Sequence, residues 1–398
     1  MRTSENRHPA VCMLSASYLG MADVRMAKEM RSLAGHGFSV SAVVAQPNTR
    51  PMEQVRVQPI KATRGRFSRY AVQPFRVLRR ALRVPADAYR FCGPELICCG
   101  IVLRALGRRV VFEMIEDYRG QLPAKRWLLL PLRGRLALQW LYGAVENACA
   151  RSVSGLIVAG AELDGRMRPV ARDTLLLENF PSMLDFPLPL EKRPTGGRPI
   201  RIIFAGGIRH ESAVRQFVSA LDLLSPTLDI EVSLVGGILS PALMEEVQAL
   251  PGWRRVRYLG SIPQQALREL MWSATAAVVL YTPEPNHYDV RSNRLYEAMA
   301  CSLPVVVSDF PRWRHLVQES VACGVAVSPS DPESIAAGLN SLIADPQQAQ
   351  ELGRRGRAAF VERFNWERQE EKLIAFYRRM TADGAVAKTA CDGCDLLA

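Results

Sequence analysis

The chain has 398 residues, 48% apolar and 23% charged, and its 51 Lys and Arg against 39 Asp and Glu give a formal net charge of +12. This length and balance exclude a disordered chain and predict two globular domains of roughly 150–200 residues each. Apolar runs stay short of the ~18–20 residues of a bilayer-crossing helix, and the start lacks the apolar core and cleavage site of a signal peptide, so a cytoplasmic protein is expected.

Val11–Ser15 reads as a short buried strand. From Asp23 to Ala34, Val24, Ala27, Met30 and Leu33 fall on one side of a helix that Gly35-His36-Gly37 stops, and Val40–Val44 is the next strand. Two acid-free stretches stand out. Gln54–Ala86 carries arginines from Arg64 to Arg83, and Tyr118–Val145 mixes Arg119, Arg126, Arg133 and Arg135 with Trp127, Trp140 and several leucines. On helices, that interleaving suits an anionic membrane surface; the plainer alternative is a core-facing helix with solvated arginines. No nucleic-acid motif accompanies the charge, so nucleic acid is not an expected partner. Further strands are expected at Leu96–Cys99, Val110–Glu113, Gly155–Ala159 and Thr174–Leu177, with a long helical region ending near Arg151.

Glu191–Pro199 combines charges, prolines and paired glycines and reads as a linker. The alternation then restarts with a strand at Arg201–Phe204, a loop at Ala205-Gly206-Gly207 and a helix to about Leu224. Strands at Ile230–Val235, Arg255–Leu259, Ala276–Leu280 and Pro304–Val307 follow. Repeated βα units make parallel sheets covered by helices on both faces, so the fold class is α/β with two Rossmann-like, doubly wound domains. Ligands of such sheets sit beyond the carboxyl ends of the strands, and a cleft between the domains is the expected site. Nine scattered cysteines in such a chain read as reduced thiols, and the Cys391/Cys394 pair lies in a Gly-containing tail.

Between Tyr288 and Pro311 the chain concentrates its chemistry. Asn293 and Glu297, four apart, share a face at the start of a helix, with Arg294 beside them. A carboxylate so placed can accept both hydroxyls of a ribose, while arginines and helix N–H groups hold a diphosphate. Alone, Glu297 reads as no more than an acid in a first helical turn. It is not alone. The run Ser292-Asn293-Arg294-Leu295-Tyr296-Glu297-Ala298-Met299-Ala300, continued by Pro304-Val305-Val306, resembles the donor-site motif of the retaining glycosyltransferases of family 4. Asp309-Phe310-Pro311, Phe364-Asn365-Trp366-Glu367, Asp23-Val24-Arg25, Glu116-Asp117-Tyr118 and Glu178-Asn179-Phe180-Pro181 match the same family in order, from about Val11 to Met380.

That resemblance implies a GT-B fold. The N-terminal acceptor-binding domain would be 1–190, the linker 191–199, the nucleotide-sugar-binding domain 200–364, a helix crossing back to the first domain 365–380, and a flexible tail 381–398. It implies transfer with retention from a nucleotide sugar, a UDP- or GDP-sugar, with no further cofactor and no metal. Glu297 would bind the donor ribose, with Asn293 and Arg294 near the diphosphate or sugar. Gly206 and Gly207 would let the backbone approach the phosphates, and Asp289 would touch the transferred sugar. Glu116 and Asp117 would position the acceptor. The family's usual Arg and Lys at the phosphate loop are replaced by Gly207 and Ser212, so Arg209, Arg291 and Arg294 are the candidate cations for the leaving group. The basic, Trp-rich N-terminal surface points to a lipid-linked or saccharide acceptor at the inner membrane surface, in polysaccharide or glycolipid assembly. The same two replacements support the alternative of a GT-B pseudoenzyme that acts as a binding partner. A dinucleotide oxidoreductase is disfavoured, because Ser15–Gly20 carries no G-x-G-x-x-G fingerprint.

Overall fold

The computed structural model describes residues 8–16, 24–45, 54–63, 66–124, 130–187, 199–284, 287–288 and 292–382. It divides into two compact units, one built from the described residues of 1–179 and 369–398, the other from 180–368.

The first unit holds strands β1 (Ala10–Leu14), β2 (Ser39–Val44), β3 (Val55–Pro59), β4 (Ala88–Cys92), β5 (Arg109–Met114), β6 (Gly155–Val158) and β7 (Thr174–Leu176). They form one parallel sheet in the order β3-β2-β1-β4-β5-β6-β7. Its helices are α1 (Val24–Gly35), α2 (Arg66–Ala71), α3 (Gln73–Ala81), α4 (Ile97–Ala105), α5 (Tyr118–Gln121), α6 (Leu132–Ser152) and α7 (Ala161–Met167). Alternation along each strand sends Cys12, Leu14, Tyr89, Phe91, Val110 and Phe112 to one face, where they pack with Val77, Leu103 and Cys149 of α3, α4 and α6. The expected strand at Leu96–Cys99 is instead the start of α4, and the strand is β4, just before it. A short apolar run does not separate a buried strand from a buried helix, and Arg90 at the centre of β4 hid the true one.

On the opposite face Arg90 is fully buried, with Glu113 of β5 and with Arg25 and Glu29 of α1. Arg25 Nε lies 2.5 Å from Glu113 and 3.2 Å from Glu29, and Arg90 pairs with both glutamates. Two guanidiniums and two carboxylates close a neutral cluster, the condition under which ions tolerate an interior. Helix α15 (Trp366–Thr381) covers this region, with Tyr377 fully buried and its hydroxyl's pKa raised by that burial.

The second unit holds β8 (Ile200–Ala205), β9 (Ile230–Val235), β10 (Val256–Gly260), β11 (Ala276–Val279), β12 (Val305–Ser308) and β13 (Gly324–Val327), parallel and ordered β10-β9-β8-β11-β12-β13. Helices α8 (Val214–Leu223), α9 (Pro241–Gln248), α10 (Gln264–Ser273), α11 (Asn293–Ala300), α12 (Pro311–Arg314), α13 (Pro332–Ala344) and α14 (Pro346–Glu362) complete it. Two apolar cores, one on each sheet face, follow the alternation Ile202/Phe204 against Ile203. Asp331 and Asp345 cap α13 and α14 by accepting from Glu333 N and Gln348 N, and Pro332 and Pro346 open those helices.

The second unit begins at Phe180, ahead of the linker expected at 191–199. Phe180 and Phe186 are buried in its core, Phe180 against Tyr296 and Phe364. Most of the expected linker, 191–198, lies outside the described residues, as does 383–398 of the expected tail. Helix α15 starts in the second unit, and from Gln369 onward it belongs to the first.

Candidate active site

Strand β8 pairs with β9 on one side and β11 on the other, so the chain leaves β8 and β11 in opposite directions and opens a crevice at their carboxyl ends. Gly206-Gly207 follows β8 and Gly236-Gly237 follows β9. The two turns run side by side. Gly206 N donates to Val235 O at 2.8 Å, Ile208 N to Gly237 O at 2.9 Å and Leu239 N to Ile208 O at 3.0 Å. Gly236 has φ +148°, and a Cβ there would stand 1.7 Å from Gly206 O, so no other residue fits. A Cβ on Gly206 would meet open space, which leaves that peptide accessible to a ligand. The second turn is a site element beyond those expected from Gly206 and Gly207, and its signal is a repeat: Ala205-Gly206-Gly207-Ile208 returns as Val235-Gly236-Gly237-Ile238.

After Gly207 the chain makes a 3-10 turn, His210–Ser212, before α8. Ser212 is buried and its hydroxyl donates to Arg209 O at 2.6 Å, so it braces the turn instead of facing a ligand. Arg209 is exposed, and its guanidinium bonds to none of the described residues. His210 Nε2 lies 3.4 Å from Ser240 Oγ. Thr282 N donates to Glu211 O at 2.9 Å and fastens this turn to the chain leaving β11. There Tyr281 N donates to the hydroxyl of buried Ser308 at 2.8 Å, which donates to Tyr281 O at 2.9 Å and so clasps the ends of β11 and β12. His287 Nδ1 stands 2.9 Å from Thr282 O. Asp289 and Arg291 lie outside the described residues.

Helix α11 follows. Leu295, Tyr296, Ala298 and Met299 anchor it in the core, leaving Asn293 exposed and Arg294 partly so. Glu297 is buried at 7% exposure, and its Oε2 accepts from Arg294 Nη1 at 2.5 Å. A buried carboxylate fixed by a charge-assisted bond to a half-exposed guanidinium is a rigid acceptor for hydroxyl donors. Of the expected donor-site residues, the structure brings Arg294 and Glu297 into contact. It sets Gly206, Gly207 and Arg209 at the carboxyl end of the neighbouring strand β8.

Glu116 and Asp117 stand in the first unit, at the carboxyl end of β5. Exposed Glu116 accepts from Gln121 Nε2 at 3.1 Å. Asp117 caps α5 by accepting from Gly120 N at 3.0 Å and pairs with Arg166 at 3.1 Å. Arg166 also reaches buried Glu146 at 2.6 Å; burial raises the pKa of Glu146 and Arg166 opposes the rise. Asp117 is therefore engaged in its own loop, while Glu116 is the more open carboxylate.

Residues 190–359 match the family described as glycosyl transferases group 1. Over 203 residues the chain is 32% identical to the alpha-maltose-1-phosphate synthase of Mycolicibacterium smegmatis, covering 46% of this chain and 49% of that protein. The fold matches sucrose-phosphate synthase from Thermosynechococcus elongatus with a TM-score of 0.72 at 19% identity, over 94% of this chain and 99% of that one. The chain has the GT-B fold, and the family match lies on its second unit. It likewise matches Anabaena HepE, solved in complex with UDP-glucose, with a TM-score of 0.67 at 14% identity, over 94% and 100% of the two chains. The chain spans about half the length of the curated relatives it matches. That fold accounts for the two parallel sheets and for the crevice at the carboxyl ends of β8 and β11.

Proposed function

We propose that the protein transfers a sugar, with retention, from a nucleotide sugar of the UDP or GDP type to a saccharide or lipid-linked acceptor. The setting is polysaccharide or glycolipid assembly at the inner membrane surface. The observation that carries this reading is the buried Glu297 carboxylate, locked by Arg294 at 2.5 Å, on the helix that follows β11. Such a carboxylate accepts the ribose hydroxyls, while the two glycine turns let the diphosphate approach bare peptide N–H groups. The UDP-glucose complex of a protein with the same fold supports the donor class.

In this mechanism Arg209 and Arg294 neutralise the charge that develops on the departing diphosphate, so the step needs no metal. The leaving phosphate oxygen takes the acceptor's proton on the face it vacates, which gives retention without a separate base. Glu116 orients the acceptor, and Asp117 holds the loop that carries it. Calorimetric titration of UDP-glucose and GDP-mannose into wild type and Glu297→Ala tests the reading. Wild type should bind one of them and the folded variant should not. Equal affinity in the two proteins would remove Glu297 from the donor site.

A further inference from the structure

Helices α3, α4 and α6 pack on one face of the seven-stranded sheet, with α4 against both of the others, so their outer surfaces look the same way. Most of the exposed large apolar side chains among the described residues lie on this part of the chain, between Tyr70 and Val145. On α6, Leu132, Leu136, Trp140, Leu141 and Val145 form an outward stripe, with Trp140 72% exposed. On α3, Phe75 is 68% exposed and Leu82 continues its side, while α4 shows Ile101 and Leu106. Apolar surface on this scale marks a docking site in a soluble protein.

Charge identifies what docks there. The three helices carry a single acid, Glu146, which is fully buried, whereas Arg79, Arg83 and Arg133 are exposed along the same stripes. An isologous dimer through this face would set arginines against arginines. No described helix is long and apolar enough to cross a membrane, so the face suits an interface that is apolar below and anionic above.

We propose that the outer surface of α3, α4 and α6 seats the protein on an anionic bilayer, with Trp140 and its leucine neighbours below the headgroups and the arginines against lipid phosphates. This rests on the transfer reading for its purpose, which is to bring the enzyme to a lipid-linked acceptor, and it names the face that does so.

Flotation of the full chain with vesicles tests it. Wild type should float with phosphatidylcholine vesicles containing phosphatidylglycerol, and poorly with phosphatidylcholine alone. A combined Leu136→Ser, Trp140→Ser and Leu141→Ser variant should lose about tenfold or more in partitioning. Arg79→Glu with Arg133→Glu should lose the preference for the anionic lipid. Brominated lipid should quench wild type more than a Trp140→Phe variant. Equal flotation of wild type and both variants would overturn the proposal, and so would failure of wild type to float while light scattering shows a dimer that the triple-serine variant lacks. Nucleotide-sugar calorimetry on the same variants checks folding and keeps the questions apart: flotation without donor binding would sink the transfer reading alone, and the converse would sink the docking face alone.

Discussion

Arg294 and Glu297 meet at 2.5 Å across one turn of α11, the glutamate buried and the arginine at 38% side-chain exposure. One end of the pair is fixed by the core, and the other is free to meet a ligand. In the mechanism above, the two groups then read different parts of the donor, ribose and diphosphate. Arg294→Ala should weaken donor binding by about 1.5–3 kcal/mol, the range of a hydrogen bond to a charged group. Isothermal titration of the nucleoside diphosphate alone checks this, since a diphosphate contact predicts the same loss with and without the sugar.

Arg209 shares that diphosphate with Arg294 but, with no carboxylate partner among the described residues, should be felt mainly in the rate. If it acts on the charge of the departing diphosphate, Arg209→Ala should lower kcat by about 100-fold and change donor affinity less, as for loss of one preorganised donor to a developing oxyanion. Steady-state rates at saturating donor provide the measurement. An effect on KM alone would make Arg209 a ground-state contact.

At the glycine turns, Gly236→Ala should damage the phosphate end of the site from a distance. Its methyl would collide with Gly206 O, and a φ of +148° is barred to alanine. The β8 and β9 turns would have to part. Donor-dependent thermal stabilisation should vanish in this variant, while Gly206→Ala, whose Cβ meets open space, should keep the fold and disturb only the ligand.

The buried ions of the first unit make a stability prediction. Glu113→Ala leaves two guanidiniums facing one carboxylate in the interior and should cost about 3–5 kcal/mol. Replacing Arg90 and Glu113 together with leucine should be milder than the sum of the single changes. Thermal unfolding followed on the first unit, through its near-ultraviolet signal, checks the difference.

Thiol chemistry gives a pH-dependent test. A hydrogen bond with Cys99 lowers the pKa of exposed Cys98 to about 6, whereas burial pushes Cys12, Cys149 and Cys323 up to about 12. The Cys98 thiolate is present above that value and lost as pH falls through it. Of the cysteines from Cys12 to Cys323, iodoacetamide at pH 7 should label Cys98 first, more slowly at pH 5, as read by peptide mass spectrometry. Equally fast labelling of Cys12 would contradict the core described for β1.

Most of the fold was legible because parallel strands buried on both faces leave apolar runs such as Val305–Val307, and because glycines and prolines punctuate them. Arg90 and Glu113 were not legible as partners, since their pairing is made by the β4–β5 register and by a helix some sixty residues earlier. The Arg294–Glu297 spacing was written into the helix, but the burial of Glu297 depends on the core around Leu295 and Met299. The inward turn of Ser212 could not be read either: a serine two residues before a helix resembles any turn serine until its partner, Arg209 O, is known.

Helix α15 makes the first unit discontinuous along the chain. Phe376 packs where any side chain at Gly155 would stand, and Tyr377 seals the region of Arg90 and Glu29. A ribosome delivers this helix after the whole of the second unit. The unit whose strands are synthesised first is therefore the one that must wait until the other has been made to close its interior, and a chain stopped before Gln369 would leave a charged, unsealed core in the cell.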